Sequence, residues 1–399
     1  VGSSAYSNVG ETYGYGSRAS SLGNTMLGGK TGGFGTYYNP AMNSTNPGLD
    51  LSLGFTYYRP DFPEVNGVTV GNYATNSQEA DVIGNMDTTY PEHYGQMLAA
   101  SYNFDVLWNL TLGFLGFMPL NRLAYLDTGE PFAVEYFNYR SRTQRPQVYS
   151  SLSISPLKFL HLAAGVQFGS HLAANTRVVF SSASNTATYQ RFTSTVKSHA
   201  APYFSIYTNP KPFEAGVTVR RQSVSTVSID TTALARFLGN TTELRLASNS
   251  ASTIFYEPLE VDAAVALQVF KTWMTLEVDW LQYKSFEGPT LVVVDKGSSG
   301  IVQKSVSTTP TMRNIFVPKV GIEQDLEVIK LRVGYSYRPS PVESNAGPGN
   351  LVDPAKHVMT TGLGFDLAKI GITKKAITLD LHAQYQYLVR QKITKSGLN

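Results

Sequence analysis

The chain has 399 residues, 15% of them charged, a formal net charge of +3 and no cysteine. The lack of a thiol excludes a disulfide framework, a Cys-ligated zinc site and a cysteine nucleophile; so small a charge, not gathered into a basic patch, makes nucleic acid an unsuitable partner. No apolar run reaches the ~20 residues that a spanning helix needs, and the longest, Leu110–Leu120, is broken by Thr111, Gly113, Gly116 and Pro119.

The opening VGSSAYSNVG has neither a basic region nor an apolar core, so it reads as a mature start after removal of a signal peptide. Residues 1–48 are rich in Gly, Ser, Asn and Tyr without a sustained period. A short helix around Ser17–Leu27 is expected there, and loop elsewhere. Within this stretch Gly28–Met42, GGKTGGFGTYYNPAM, is too glycine-rich for a helix and too irregular for a strand. Pro40 lacks a backbone donor and disfavours helix at Asn39. The segment suits an ordered plug, although Asn-Pro is also a common turn marker.

From Leu49 the pattern becomes strict alternation, and thirteen such segments follow, from Leu49–Tyr58 to Ile377–Leu388. Nine to twelve residues each is the length of a strand tilted across a bilayer. Short connections such as Pro156–Lys158 and Lys271–Thr272 alternate with long ones: Arg59–Gly95, Met118–Pro146, Ser170–Ala200, Gln222–Pro258, Lys284–Met312 and Pro339–His357. That asymmetry belongs to outer-membrane barrels. In the last segment Leu379, Leu381, Ala383 and Tyr385 share one face, while Asp380, His382 and Gln384 share the other. The apolar face meets lipid and the polar face a lumen. Trp108 and Trp273, at short turns, are expected in an interfacial girdle. The fold class is therefore all-β, a transmembrane antiparallel barrel (49–399) with an N-terminal plug (1–48). Thirteen is odd where single-chain bacterial barrels are even, which leads to the expectation of a fourteenth strand absent from this sequence.

Gly113 and Gly116 share the third strand, where glycine marks either a bend or relief of crowding near the plug. Apolar loop residues, including Phe132, Val134, Tyr136 and Phe137, and Leu234, Phe237 and Leu238 of an expected helix over Thr231–Leu246, form either loop cores or a capture surface. Met26, Leu27 and Phe34 of the plug line the same candidate pocket. Glu260, Asp262, Glu277 and Asp279 fall on inward faces, with Arg220, Lys330 and Arg332 across the lumen; a salt-bridge network holding the plug is preferred to a polar pathway, since buried charge is costly unless paired. The six His residues form no HExxH pair, GxSxG is absent and GGKTGG lacks P-loop spacing. No enzyme, metal site or cofactor is expected.

Four stretches carry a family resemblance: GSRASSLGNTMLGGKTGGFGTYYNPA, LTLGFLGFMPL at 110–120, LRVGYSYRPSPV at 331–342 and ITLDLHAQYQYLVRQKI at 377–393. In this order the chain resembles the FadL/TodX family of outer-membrane transporters for hydrophobic compounds. The resemblance implies a fourteen-stranded monomeric barrel in the outer membrane of a Gram-negative bacterium, among lipid and lipopolysaccharide, plugged by an N-terminal hatch. It implies passive uptake of long-chain fatty acids or similar molecules, captured at extracellular loops and passed to a pocket above the hatch. It implies, too, sideways release at a kink in the third strand. By motif match, Asn39, Pro40 and Ala41 are the hatch motif, and Gly113 and Gly116 the kink. The alternative is a barrel that transports nothing and binds a partner protein through its loops, a reading to which the expected hairpin over Thr290–Val306 lends some weight.

Overall fold

The structure, a computed structural model, describes residues 9–25, 27–29, 32–62, 65–71, 80–86, 90, 92–121, 135–136, 139, 145–179, 189–236, 243–287, 290–295, 302–307, 310–344 and 351–391. Thirteen strands pair in chain order into one antiparallel sheet. They are β1 (Leu49–Tyr58), β2 (His93–Asn103), β3 (Thr111–Pro119), β4 (Gln147–Leu157), β5 (Leu160–Val179), β6 (Tyr189–Thr208) and β7 (Phe213–Arg220). The series continues with β8 (Glu260–Val269), β9 (Thr272–Leu281), β10 (Ile315–Asp325), β11 (Ile329–Arg338), β12 (Lys356–Asp366) and β13 (Thr378–Leu388). Among the described residues β1 and β13 are the two ends of the sheet and do not pair with each other. No helix among them is long and apolar enough to cross a membrane; a barrel crosses with strands, whose ladders satisfy the backbone.

Period-two patterning decides which face each side chain takes. On β9, Met274, Leu276 and Val278 are exposed, whereas Thr275, Glu277 and Asp279 are buried. On β13, Leu379, Leu381, Tyr385 and Tyr387 are exposed. The apolar residues thus point out of the sheet and the polar ones into it, as a lipid-facing wall requires. Trp108 is exposed at its turn. Trp273 is not in the girdle: its parity puts it on the inner face, where it packs against the plug.

Three local expectations change. The connection expected over Ser170–Ala200 is largely strand, because β5 and β6 run as one hairpin of twenty residues a side, paired from Leu160↔Thr208 to Val179↔Tyr189. That is about twice the length needed to cross a bilayer. The helix expected over Thr231–Leu246 is instead a strand pair, Ser223–Arg236 with Glu243–Glu257; the β-branched run STVSIDTT outweighs the helical spacing of Leu234, Phe237 and Leu238. This pair joins Thr290–Asp295 and Val302–Ser307 in a separate four-stranded sheet, so the hairpin expected over Thr290–Val306 is present. The helix expected over Ser17–Leu27 stops at Ser21.

The N-terminal segment lies against the inner face of the sheet as short helices: α1 (Val9–Thr12), α2 (Ser17–Ser21), α3 (Gly35–Tyr38) and 3-10 turns at Gly32–Phe34 and Pro40–Thr45. After α2, Gly23 and Asn24 take φ of +72° and +65°, a left-handed stop. A Cβ on Gly334 of β11 would lie 2.1 Å from the Gly23 nitrogen, so plug and wall touch backbone to backbone there. Tyr15, Tyr37 and Tyr149 meet edge to face, with centroids 4.7 Å (Tyr15–Tyr37) and 5.2 Å (Tyr37–Tyr149) apart. Such pairs contribute about 0.5–1.5 kcal/mol each beyond their buried area. With Val9, Leu27, Met42, Leu115, Phe117 and Tyr203 they form the main core. It is a core between plug and wall rather than within either.

Candidate functional site

The site follows from how the plug ends. The proline at 40 forces Asn39 into an extended conformation, φ −147° and ψ 94°. Asn39 then caps the following 3-10 turn: its Oδ1 accepts from the Ala41 nitrogen at 3.2 Å, and its Nδ2 donates to the Ile206 carbonyl at 3.1 Å. The Ala41 nitrogen also donates to Ser205 Oγ at 3.0 Å. A Cβ on Gly216 would lie 2.7 Å from Asn39 Nδ2. Asn39-Pro40-Ala41 therefore bonds to β6 and packs on β7, while the 3-10 turn that it opens also touches β3 through Asn43. Just before it, Thr218 Oγ1 donates to the Tyr38 carbonyl at 2.8 Å, and Arg220 donates to the carbonyls of Tyr37 and Tyr38 while lying over the Tyr37 ring at 4.5 Å. Burial pushes the phenols of Tyr15, Tyr37 and Tyr38 above their ordinary range, so they stay neutral, and Tyr38 Oη accepts from the Tyr15 nitrogen at 2.7 Å.

The last turn of the plug reaches β4 and β5. Ser155 Oγ and Ser44 Oγ lie 2.7 and 3.1 Å from His161 Nδ1, and His161 Nε2 lies 3.3 Å from Asn209 Oδ1. Asn209 Oδ1 can only accept, which assigns the proton to Nε2 and leaves Nδ1 to accept from Ser155, while Ser44 Oγ donates to the Ala41 carbonyl at 2.8 Å. Ser155 Oγ and Ser44 Oγ lie 2.9 Å apart. The set clasps the plug; none of its residues stood out in the sequence, because three strand ends and a turn contribute to it.

Gly113 and Gly116 separate in role. β3 pairs with β2 from Asn103↔Thr111 to Gly95↔Pro119 and with β4 from Thr111↔Ser153 to Phe117↔Gln147, with no register shift at either glycine. A Cβ on Gly113 would lie 2.5 Å from both Ser151 Oγ and Thr36 Oγ1 and 2.6 Å from Asn43 Nδ2, whereas one on Gly116 would meet only the Phe114 ring, at 3.4 Å. Gly113 is a seat for the plug.

Of the candidate ligand residues, Leu27 is buried in the core and Phe34 packs partly buried against it. Met26, Phe132, Phe137, Phe237 and Leu238 lie outside the described residues, and Leu234 sits on the strand Ser223–Arg236. Above the plug the structure gathers aromatics that the sequence left scattered. Tyr13 stacks on Tyr58 at 3.7 Å and Phe62 on Tyr136 at 4.3 Å, with Tyr90 and Tyr139 beside them. Only Tyr136 stood out beforehand, as part of a loop cluster.

Ion pairs tie plug to wall. Arg18 binds Glu323 at 3.0 Å; Arg332 binds the same carboxylate at 2.6 Å and Asp380 at 2.5 Å. Arg338 bridges Glu11 at 3.2 Å and Asp353 at 2.8 Å. Arg220 pairs with Glu260 and Asp262 on the neighbouring strand, not across the lumen. Lys319, which drew no attention in the sequence, pairs with Glu277 and Asp279. A lumenal cavity of about 30 Å³ lies among these groups, and an apolar groove of about 550 Å³ lies at β6–β9, lined by outward residues such as Ala215, Val217, Ala263, Val265, Leu276 and Val278. Gly216 and Ala264, directly paired, border both.

No protein-family model matches the chain, and no curated protein matches it. Solved structures do. A Pseudomonas aeruginosa FadL homologue is similar with a TM-score of 0.55 at 12% identity, over 98% of this chain and 91% of that one. The Ralstonia pickettii toluene transporter TbuX gives 0.51 at 12%, over 95% and 99%, and the P. putida toluene transporter TodX gives 0.50 at 12%, over 89% of each. With a thirteen-strand antiparallel meander, apolar outside, and an N-terminal plug against its inner face, the chain has the FadL/TodX-family β-barrel fold.

Proposed function

We propose that this chain is a passive channel of the Gram-negative outer membrane, not an enzyme, and that it admits hydrophobic small molecules such as long-chain fatty acids or hydrocarbons. One observation carries the reading: an apolar-out, polar-in wall closed inside by a plug held through ion pairs and hydrogen bonds, the fold that the toluene transporters TodX and TbuX also have. The protein works as a monomer surrounded by lipid and lipopolysaccharide. Ligand is captured at the extracellular loops, enters past the aromatic cluster of Tyr13, Tyr58 and Tyr136, and leaves sideways once the hatch shifts. The resemblance puts that exit at Gly113 and Gly116 of β3. The placement of Asn39 against β6–β7, with the groove on the outer side of Gly216 and Ala264, supports β7–β8 instead.

The chain has no cysteine, which makes the test direct. Uptake of a fluorescent fatty acid is measured in cells producing the protein, against cells without it. One cysteine pair replaces the partners Val217 and Ala263 on β7–β8, the other Leu112 and Leu152 on β3–β4. Uptake that oxidation abolishes and reductant restores only in the first pair supports exit at β7–β8; the reverse supports β3. If neither lock slows uptake, lateral release is wrong. Absence of uptake by the unmodified protein removes the channel reading.

A second reading is favoured by the four-stranded sheet, whose end strand Val302–Ser307 has one edge unpaired among the described residues, whereas the other end strand, Ser223–Arg236, lies against β5. Edges of this kind accept another chain's strand. A partner protein that co-purifies in equal amount and is lost on removing residues 290–307 supports a loop-binding role.

A further inference from the structure

Four carboxylates face two cations where β7, β8, β9 and β10 meet the hatch. Arg220 binds Glu260 Oε2 at 3.1 Å and also Asp262 Oδ2; Lys319 binds Glu277 Oε1 at 2.9 Å and Asp279 Oδ2 at 2.5 Å. With all four acids ionised against two bases, this group carries two negative charges in excess. Glu11, a fifth acid, lines the same cavity, and its partner Arg338 also binds Asp353, so that cation brings no relief.

The excess is concentrated. Asp262 and Asp279 are direct cross-strand partners on β8 and β9, an arrangement that destabilises a sheet when both carry the same charge. Each gives its Oδ2 to a cationic side chain and keeps its Oδ1 buried with no hydrogen-bond partner among the described residues. Asp279 is 3% exposed. Both acids, with Glu260, line the cavity of about 30 Å³, room for a single water or ion. One oxygen from each of Glu260, Asp262 and Asp279 lies within 4.8 Å of the others. Oxygens on one Ca²⁺, at roughly 2.4 Å from it, span up to about that separation, whereas Mg²⁺ demands a tighter and regular octahedron.

We propose that this cavity is a Ca²⁺ site, with Glu260, Asp262 and Asp279 as its carboxylate ligands. The ion takes the spare oxygens, cancels the two excess charges and removes the repulsion between β8 and β9. Arg220 is bound to the same acids and donates to the carbonyls of Tyr37 and Tyr38, so the ion also stiffens the contact between wall and hatch. The site needs only the folded barrel with its hatch and stands apart from any transport activity.

The test uses full-length protein in detergent, stripped with chelator and dialysed. Ca²⁺ is titrated by calorimetry, and Tb³⁺ is followed by luminescence excited through Tyr37 of the cavity lining. Saturable binding of one ion per chain and a rise in Tm with Ca²⁺, not matched by Mg²⁺, are expected. Asp262→Asn and Asp279→Asn, which keep side-chain shape, each weaken binding more than about tenfold. Glu323→Gln, in the separate Arg18–Arg332 network, leaves it unchanged. Absence of Ca²⁺ and Tb³⁺ binding at millimolar concentration overturns the site. So does equal binding by both Asp variants, and so does a stripped protein whose Tm Ca²⁺ does not move.

Discussion

At the scale of the residue, the two glycines of β3 are the sharpest case. Gly113→Val drives its Cβ into Thr36, Asn43 and Ser151, and we expect it to lower Tm through a displaced hatch, at a cost of about 1–3 kcal/mol for overpacking. Gly116→Val meets only a rotatable ring and is expected to leave Tm nearly unchanged. Equal effects from the two, measured by urea unfolding in detergent, contradict this division. Asn39→Ala removes a cap acceptor and a donor to Ile206 and is expected to cost about 1–2 kcal/mol in the same measurement. Outside the strands, Glu327 is held below its ordinary carboxyl value by the hydrogen bond and then the charge of Lys271, whose own value is raised. A lowered carboxyl adds stability above its unfolded pKa, and this is lost as pH falls through the folded one. Both groups are exposed and screened. The expected result is a small drop in Tm on acidification below the ordinary Glu range, shared with other carboxylates, of which the Glu327→Gln variant lacks one part; about 1 M salt removes that difference.

Elements are joined by charges whose partners come from different strands. Arg332 on β11 serves Glu323 on β10 and Asp380 on β13, and Arg18 of the hatch shares Glu323. Removing the central cation leaves buried acids without it. Arg332→Met is expected to destabilise by about 3–5 kcal/mol, and combining it with Glu323→Gln and Asp380→Asn is expected to recover much of the loss. Denaturant midpoints of the single and triple variants check this. No recovery in the triple variant would mean that Arg332 acts by packing. The sequence indicated which residues face inward; it did not indicate that Arg220 and Lys319 each bridge two acids of one adjacent strand, since pairing depends on register and register is a property of two strands at once.

For the whole molecule the decisive relation is hatch to wall. The core formed by Val9, Tyr15, Tyr37, Leu115 and Tyr149 lies between them, so neither part has a sufficient core without the other, whereas the wall keeps its ladders. Deleting residues 1–48 is therefore expected to leave a strand-rich protein that inserts into a planar bilayer and conducts ions far better than the intact chain. Equal conductance from both would place the barrier elsewhere. The sequence by itself determined the strand number, the facing of β9 and β13 and the break at Asn39-Pro40, because alternation and proline chemistry are local. Only the tertiary structure decided that Asn39 rests on Ile206, that Trp273 meets the hatch, that Gly113 is a seat, that Thr231 joins a strand, and that Asp262 stands opposite Asp279. Each of these is a meeting of segments far apart in the chain, selected by what fits in the lumen and by which backbone reaches it, and no short-range pattern encodes that choice.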